Sequence, residues 1–239
     1  MDSVKCSRRR LRVSIEPLVA VLALALAHVV AAQPADAAAH KRTPDAQPAD
    51  ADARRLATLD AFLSEVHSLT ADFKQELYGA DQRLVETQTG KLSLSRPNRF
   101  RWTYAAPNEL VVVADGKKLW MYDVELAQVT VAPLDDTVGS SPAMLLSGDR
   151  DVRDGFNVVK IYTRDGLDWV ELAPKTGASD FTSVLIGFEG KSPRRLELVD
   201  GLNQVTRIVL ANVVVNPQIP DGAFEFEPPA GVDVIGGKG

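Results

Sequence analysis

An alternating aromatic segment near the middle of the chain constrains the fold more than any other feature. Phe100, Trp102 and Tyr104 occupy every second position, and Arg101 and Thr103 lie between them. Successive side chains of an extended chain point to opposite faces, so this spacing predicts a strand with an apolar and a polar face. The preceding residues 96–98, Arg-Pro-Asn, predict a tight turn, because proline fixes φ and asparagine tolerates turn geometry.

The apolar face of this strand is open to two interpretations. In one it packs into a solid core, and in the other it lines a cavity that receives an apolar ligand. The upstream run 90–94 alternates in the same way and carries Leu92 and Leu94. The two runs therefore predict a hairpin, and either interpretation is compatible with it.

Short alternating runs separated by turn residues continue along most of the chain. Six of them predict an antiparallel meander rather than a βαβ array, over residues 70–77, 84–94, 100–104, 110–114, 119–122 and 128–132. Further strands are expected at 156–162, 169–172, 182–188, 195–199 and 204–215, with a final short alternation at 224–227. The predicted fold is mainly β: a single large curled antiparallel sheet of about 11 strands, an unclosed half-barrel.

Two segments have helical rather than alternating patterns. Residues 54–69 place leucine, phenylalanine and valine at helical spacing, which predicts an amphipathic helix. Later, Ser141 suits a helix cap and Pro142 suits a first helical position, before the apolar residues 143–146. The short helix either plugs one end of the sheet or forms, with the first helix, a movable lid over the concave apolar face.

The first 53 residues predict export rather than folded structure. Residues 1–32 combine a basic start, an apolar run at 18–30 and small residues after it, as in a cleaved signal peptide; an uncleaved anchor is the alternative. Cys6 precedes the apolar run, where a bacterial lipidation site does not fit. Residues 33–53 are alanine, proline and aspartate, which predicts a flexible tether, and residues 54–239 then form one domain.

Charge and residue usage exclude several functions. The chain carries a net charge of −5, and loss of the basic leader makes it more acidic. This argues against binding nucleic acid or adsorbing to anionic lipid surfaces. Because the apolar run at 18–30 is too short for a comfortable membrane span and is expected to be cleaved off, we expect a mature protein that is not membrane-inserted. His67 is the one histidine within 54–239, and no cysteine lies there. The sequence therefore indicates neither an enzyme nor a metal site, and no cofactor is expected.

Four motifs in order resemble the LolA family of outer-membrane lipoprotein carriers. They lie at residues 96–102 (Arg-Pro-Asn-x-Phe-x-Trp), 115–122, 141–146 and 224–234, and the likeness extends over about 56–234. The resemblance implies an unclosed β-barrel covered by helices, with an apolar cavity for lipoprotein acyl chains. It also implies a monomeric periplasmic carrier between an inner-membrane ABC-type release complex and an outer-membrane acceptor of similar fold.

The resemblance assigns roles to individual residues. Arg96 matches the family arginine that hydrogen-bonds the lid, and Phe100 matches an apolar residue at the cavity mouth involved in one-way transfer. Arg99 departs from the family, which often has an apolar residue there, so the sequence leaves the structure of the rim beside Phe100 open. The expected cavity residues are Phe100, Trp102, Tyr104, Phe73, Leu92 and Leu94, and the expected inner face of the lid is Met144, Leu145 and Leu146.

Two rival functions stay open from the sequence. One is a periplasmic sensor or chaperone of lipids or lipoproteins that has the same fold but performs no vectorial transfer. The other is a hydrolase of lipid esters, which needs a nucleophile and a base. The single histidine of the predicted domain argues against the hydrolase.

Overall fold

The computed structural model describes residues 48–134, 146–148, 152–175 and 180–236. All of them fall within one compact unit, Asp45–Gly239. The predicted signal peptide, most of the predicted tether, and Met144 and Leu145 lie outside the described residues. No helix in the described ranges is long and apolar enough to cross a membrane.

Twelve strands form a single sheet, in the order β12-β6-β5-β4-β3-β2-β1-β11-β10-β9-β8-β7. In chain order they are β1 (Ser68–Tyr78), β2 (Leu84–Ser95), β3 (Arg99–Tyr104), β4 (Leu110–Asp115), β5 (Lys118–Asp123), β6 (Gln128–Pro133), β7 (Phe156–Arg164), β8 (Leu167–Pro174), β9 (Phe181–Glu189), β10 (Ser192–Asp200), β11 (Val205–Val215) and β12 (Asp233–Gly236). The predicted single curled, unclosed sheet is confirmed.

The sheet consists of two meanders joined in the middle. Strands β1 to β6 pair antiparallel with their sequence neighbours, as predicted, and β7 to β11 do the same. Strand β1 pairs with β11 and so joins the two meanders. Because short turns connect nearly all of these strands, the alternation of the sequence was sufficient to predict them.

The C-terminal part of the sheet differs from the prediction in two ways. Strand β12 pairs with β6 in parallel, so the sheet is not wholly antiparallel. The alternation at 224–227 is not a strand, because Asp221–Phe224 is a 3-10 turn and the last strand begins at Asp233. A long connection after β11 brings the chain back across the sheet, and such non-local returns leave no local pattern.

The first helix, α1, spans Pro48–Glu65, so its predicted bounds at 54 and 69 were wrong. It includes the end of the segment predicted as tether, because alanine is the best helix former and proline suits the first turn. The helix ends early because β1 begins at Ser68. The Asn216 side chain closes the junction, donating to Glu65 O at 2.8 Å and accepting from His67 N at 2.8 Å. A second helix, α2, is short, at Val152–Gly155.

Helix α1 packs on one face of the sheet, which we call the inner face. The inner face carries the side chains of Leu92, Phe100 and Leu196. Leu59, Phe62 and Val66 of α1 are buried in the same cluster as these strand residues. The rings of Phe62 and Phe188 lie 5.4 Å apart. Buried apolar area is the main stabilising term of such a cluster, so α1 is held by its apolar stripe against the sheet. The opposite side of the sheet is called the outer face.

Gly90 on β2 is required by the packing of an aromatic side chain. A Cβ built at Gly90 meets Thr103 O at 2.0 Å and the Phe73 ring at 2.7 Å. We expect Gly90→Ala to lower the free energy of unfolding by about 1–3 kcal/mol, because the ring and β3 must move apart. Chemical denaturation measures the change. Gly201→Ala is the control, since its Cβ meets no atom within 4 Å, and equal stability of the two variants would contradict the prediction.

Candidate functional site

Arg96 lies in the turn between β2 and β3, where three separate parts of the chain meet. Its backbone N–H donates to His67 O at 2.8 Å, next to the end of α1. Asn98 in the same turn has a left-handed φ of 57°, which asparagine tolerates. The turn predicted from the sequence therefore fixes Arg96 beside both α1 and the sheet.

The guanidinium of Arg96 binds three main-chain carbonyl oxygens. Its Nη1 donates to Phe62 O at 3.1 Å and to Leu63 O at 2.8 Å. Its Nε and Nη2 both donate to Leu146 O, at 3.1 and 2.9 Å. A planar guanidinium with five N–H donors can bind several carbonyls at once, which a lysine ammonium cannot match in geometry.

The end of α1 offers a favourable site for this cation. The last four carbonyls of a helix lack intrahelical partners, and the helix C-terminus carries partial negative charge. The guanidinium carbon also lies 4.4 Å from the centre of the Phe62 ring, which adds a cation–π contact. Burial lowers the pKa of Arg96 to about 10, so the side chain stays charged at neutral pH.

The helical residues Leu146–Ser147 are held at the same place. Leu146 is buried in the main cluster, and Asn98 N donates to Ser147 O at 2.8 Å. Helix α1 and this helical segment together are called the cover below. Arg96 is thus the residue that ties both parts of the cover to the β2–β3 turn. Of the three residues expected on the inner face of the lid, only Leu146 is described.

The six residues expected to line the cavity lie side by side on the inner face. Phe100 is opposite Leu94 and Trp102 is opposite Leu92 in the β2–β3 ladder. The Phe73 ring lies 4.8 Å from the Trp102 ring and 5.1 Å from the Tyr104 ring. Five of the six are buried, and Tyr104 is partly buried. They form a continuous apolar and aromatic surface, which the core cluster joins to α1.

A row of polar side chains follows the aromatic cluster and was missed from the sequence. Tyr104 Oη donates to Gln75 Oε1 at 3.2 Å, and Gln75 Nε2 donates to Gln88 Oε1 at 3.4 Å. Gln88 Nε2 and Asn108 Nδ2 both donate to Glu86 Oε1, at 3.1 and 2.8 Å. Burial raises the pKa of Tyr104 to about 12, which keeps its hydroxyl protonated as the first donor of the row.

The inner face therefore changes character along β1, β2 and β3. At one end it is apolar, with Leu69, Leu94 and Phe100. At the other end it is polar, with the row just described. Gln75 and Gln88 continue the alternation of Phe73 and Gly90, so the parity of the sequence could have located them.

Arg99 does not form the rim beside Phe100, and its position resolves the uncertainty from the sequence. It is on the outer face, where Nη1 pairs with Asp221 Oδ1 at 3.1 Å and Nη2 donates to Ser95 Oγ at 3.2 Å. Its guanidinium lies 5.6 Å from the centre of the Phe224 ring. Adjacent strand residues face opposite sides, so a charge at 99 does not enter the face that bears Phe100.

Arg101 continues this outer-face contact with the C-terminal segment. Its Nε donates to Ala223 O at 2.7 Å and its Nη2 donates to Glu225 O at 2.8 Å, on either side of the buried Phe224. We expect Arg101→Ala to release this segment, because two carbonyls lose a charged donor worth about 1.5–3 kcal/mol each.

Hydrogen exchange of amides after residue 216 tests this, with faster exchange expected in Arg101→Ala. Arg83→Ala is the matched control, since the Arg83 side chain is 86% exposed and its Nε lies 3.4 Å from Oδ2 of the exposed Asp81. Unchanged exchange in Arg101→Ala would show that the other contacts of the segment, such as the buried Phe224 and the Arg99–Asp221 pair, hold it without Arg101.

Comparison with known proteins identifies the family. Residues 64–227 match the family model described as outer membrane lipoprotein carrier protein LolA. A protein of Nitrosospira multiformis named outer-membrane lipoprotein carrier protein is 41% identical over 181 residues, which is 75% of this chain and 87% of that protein. A protein of the same name from Bordetella avium is 40% identical over 177 residues, 74% of this chain and 85% of that one. The chain belongs to the LolA family of outer membrane lipoprotein carrier proteins.

Proposed function

We propose that this protein carries lipoproteins across the periplasm by enclosing their acyl chains between the inner face and the cover. Two findings support this: the carrier name of relatives at about 40% identity over most of the chain, and the continuous apolar inner face. The function is binding and transfer without catalysis and without a cofactor. The predicted signal peptide supports a periplasmic location.

A carrier of acyl chains has to meet two opposing energetic demands. An acyl chain of about fifteen methylenes costs about 12 kcal/mol to leave in water, at about 0.8 kcal/mol for each methylene. A carrier has to cover most of that surface and still release it to the next acceptor. Loading therefore has to be coupled to a change in the protein that opposes over-tight retention.

The Arg96 hydrogen bonds are the observation that carries this proposal. With the cover in place, the six inner-face residues are packed, so an acyl chain enters only if the cover moves. Movement of α1 and Leu146 breaks the bonds from Arg96 to their carbonyls. The loaded protein is then held open, and re-forming these bonds favours release. We infer that the acyl chains contact Phe100, Trp102, Tyr104, Phe73, Leu92 and Leu94, together with Leu146 of the cover and its sequence neighbours Met144 and Leu145.

The proposed route begins at an inner-membrane ABC-type release complex and ends at an outer-membrane acceptor of similar fold. Reconstitution tests it with the protein purified from the periplasm. Inner-membrane vesicles that hold the release complex and a labelled lipoprotein are supplied with ATP. We expect labelled lipoprotein to appear in the supernatant as a complex with the carrier, and then to pass to vesicles that bear the acceptor.

Two results would contradict the proposal. Label that stays with the vesicles would exclude the carrier function. Label that binds the protein but never reaches the acceptor would show a lipoprotein-binding protein without vectorial transfer. Mass spectrometry of the purified protein, in which we expect a co-eluting lipoprotein, checks the cargo independently of the reconstituted partners.

A further inference from the structure

One indole on the inner face has an unused hydrogen-bond donor. Among the described residues, two buried side-chain polar atoms have no hydrogen-bond partner: Trp102 Nε1 and Ser147 Oγ. Ser147 belongs to the cover, whereas Trp102 is part of the sheet and is only 2% exposed. A buried donor without an acceptor is unfavourable, and native proteins tolerate few of them, so Trp102 needs an explanation.

The other two tryptophans show that this chain otherwise supplies acceptors for its indoles. Trp120 Nε1 donates to Asp115 Oδ2 at 3.0 Å, and Trp169 Nε1 donates to Arg164 O at 3.1 Å. These are the only other tryptophans of the sequence. An indole nitrogen can donate but cannot accept, so only an added acceptor would satisfy Trp102.

Trp102 lies where the inner face changes from apolar to polar. On β3 it comes between Phe100, at the apolar end, and Tyr104, which starts the polar row. Phe73 packs against it at 4.8 Å between ring centres. A ligand with an apolar tail toward Phe100 and a polar head toward Tyr104 would place the linkage between the two parts next to Trp102.

We propose that Trp102 Nε1–H binds the carbonyl oxygen of the ester or amide that links an acyl chain of the cargo to its polar head. The inference rests on the proposed carrier function and adds a binding group and an orientation to it. The tail then occupies the Leu92–Leu94 side, and the head leaves over Gln75 and Gln88. This orientation departs from the expectation, taken from the family resemblance, that Phe100 lies at the cavity mouth. An acyl carbonyl is the first acceptor reached from the tail, and the methylenes offer none.

The neighbouring polar groups favour a neutral linkage over a free carboxylate. Gln75, Gln88 and the protonated Tyr104 are uncharged, and the row ends at the carboxylate of Glu86. A fatty-acid carboxylate placed here would meet a like charge along the row and no cation within it. An ester or amide meets only dipoles, and a single neutral hydrogen bond is sufficient.

Binding of two matched lipopeptides tests the proposal. The first probe carries ester- and amide-linked palmitoyl chains on an N-terminal cysteine. The second carries chains of the same length joined through carbon–carbon bonds, so that its linkages have neither a hydrogen-bond acceptor nor a charge. We expect Trp102→Phe to weaken the first probe about threefold to tenfold, which is the loss of one neutral hydrogen bond, and to leave the second nearly unchanged. Trp120→Phe is the control, because the indole of Trp120 already has an acceptor in Asp115. This variant should bind both probes as the unmodified protein does.

A measurement on the unmodified protein gives a result even if Trp102→Phe fails to fold. The three indole N–H signals are followed by ¹H–¹⁵N NMR during titration with each probe. We expect the Trp102 signal to move downfield with the carbonyl probe and not with the carbon-linked probe. The Trp120 and Trp169 signals should keep their hydrogen-bonded positions with both.

The outcomes separate this inference from the carrier function. If the protein binds neither probe, the proposed function fails. If it binds both, but Trp102→Phe weakens them equally or the Trp102 signal responds alike to both, then Trp102 only packs against the chain and the carbonyl contact is overturned. Selective loss of the carbonyl probe together with the selective downfield shift supports it.

Discussion

Arg96→Leu is expected to load lipoprotein and to deliver about tenfold less of it, or worse, to the acceptor. The substitution removes four hydrogen bonds from a charged donor to Phe62 O, Leu63 O and Leu146 O. Each such bond contributes about 1.5–3 kcal/mol when its donor is charged. Even if the free energy of closing falls by the contribution of only one hydrogen bond, the ratio of open to closed protein rises about tenfold or more.

The direction of the effect follows from which state contains the bonds. They exist with the cover closed, so their loss destabilises the empty, closed protein and not the loaded one. A larger fraction of the empty protein is then competent to bind, and apparent affinity for acyl chains increases. In the variant, closing of the cover no longer re-forms the Arg96 hydrogen bonds, so release of the acyl chain is less favourable. The variant therefore retains its cargo.

Two matched variants separate this mechanism from a general loss of stability. Arg96→Lys keeps the charge but offers a compact ammonium in place of the planar fork, so we expect partial delivery. Arg99→Leu removes the neighbouring arginine, which lies on the outer face, and should deliver like the unmodified protein. Reconstituted transfer measures all three, and normal delivery by Arg96→Leu would exclude the mechanism.

The sheet was predictable because its information is local. A period of two along Phe100, Trp102 and Tyr104 fixes which side chains share a face, and short turns then force neighbouring strands to pair. The same parity also places Arg99 and Arg101 on the outer face. Applied to the sequence, this rule would have separated Arg99 from the face that bears Phe100.

The contacts of the cover were not predictable from pattern. The carbonyls that Arg96 binds belong to Phe62, Leu63 and Leu146, and main-chain acceptors leave no mark on the sequence. The role of Arg96 came from the family resemblance, while the structure supplied the partners. The parallel pairing of β12 was missed for a similar reason, since the long return after β11 has no local pattern.

Phe100→Glu is expected to hold the cover open and to abolish delivery, while the sheet stays formed. Phe100 has no exposed surface and lies in the cluster that includes Leu59 and Phe62 of α1. An uncompensated carboxylate buried there costs about 3–5 kcal/mol. The pairing of β3 with β2 and β4 uses main-chain groups, so it does not depend on this side chain.

The protein can avoid that cost most cheaply by moving the cover and letting water reach the carboxylate. Hydrogen exchange of α1 amides should then accelerate, while exchange in β2 and β3 stays slow. Phe100→Leu is the apolar control and should keep the cover closed with a stability loss below about 1.5 kcal/mol. Phe100→Gln removes the charge but keeps the polarity, so its exchange rates should fall between the two.

In both variants we expect the cover to open while the sheet stays folded. Phe100→Glu and Arg96→Leu differ in how tightly the open protein holds an acyl chain. Arg96→Leu lacks the bonds that close the cover, but its inner face is unaltered, so it still holds an acyl chain tightly. Phe100→Glu also places a charge on the inner face, against the chain itself, so loading should weaken as well. If Phe100→Glu loads and delivers normally with slow α1 exchange, then the acyl chain does not contact this part of the inner face.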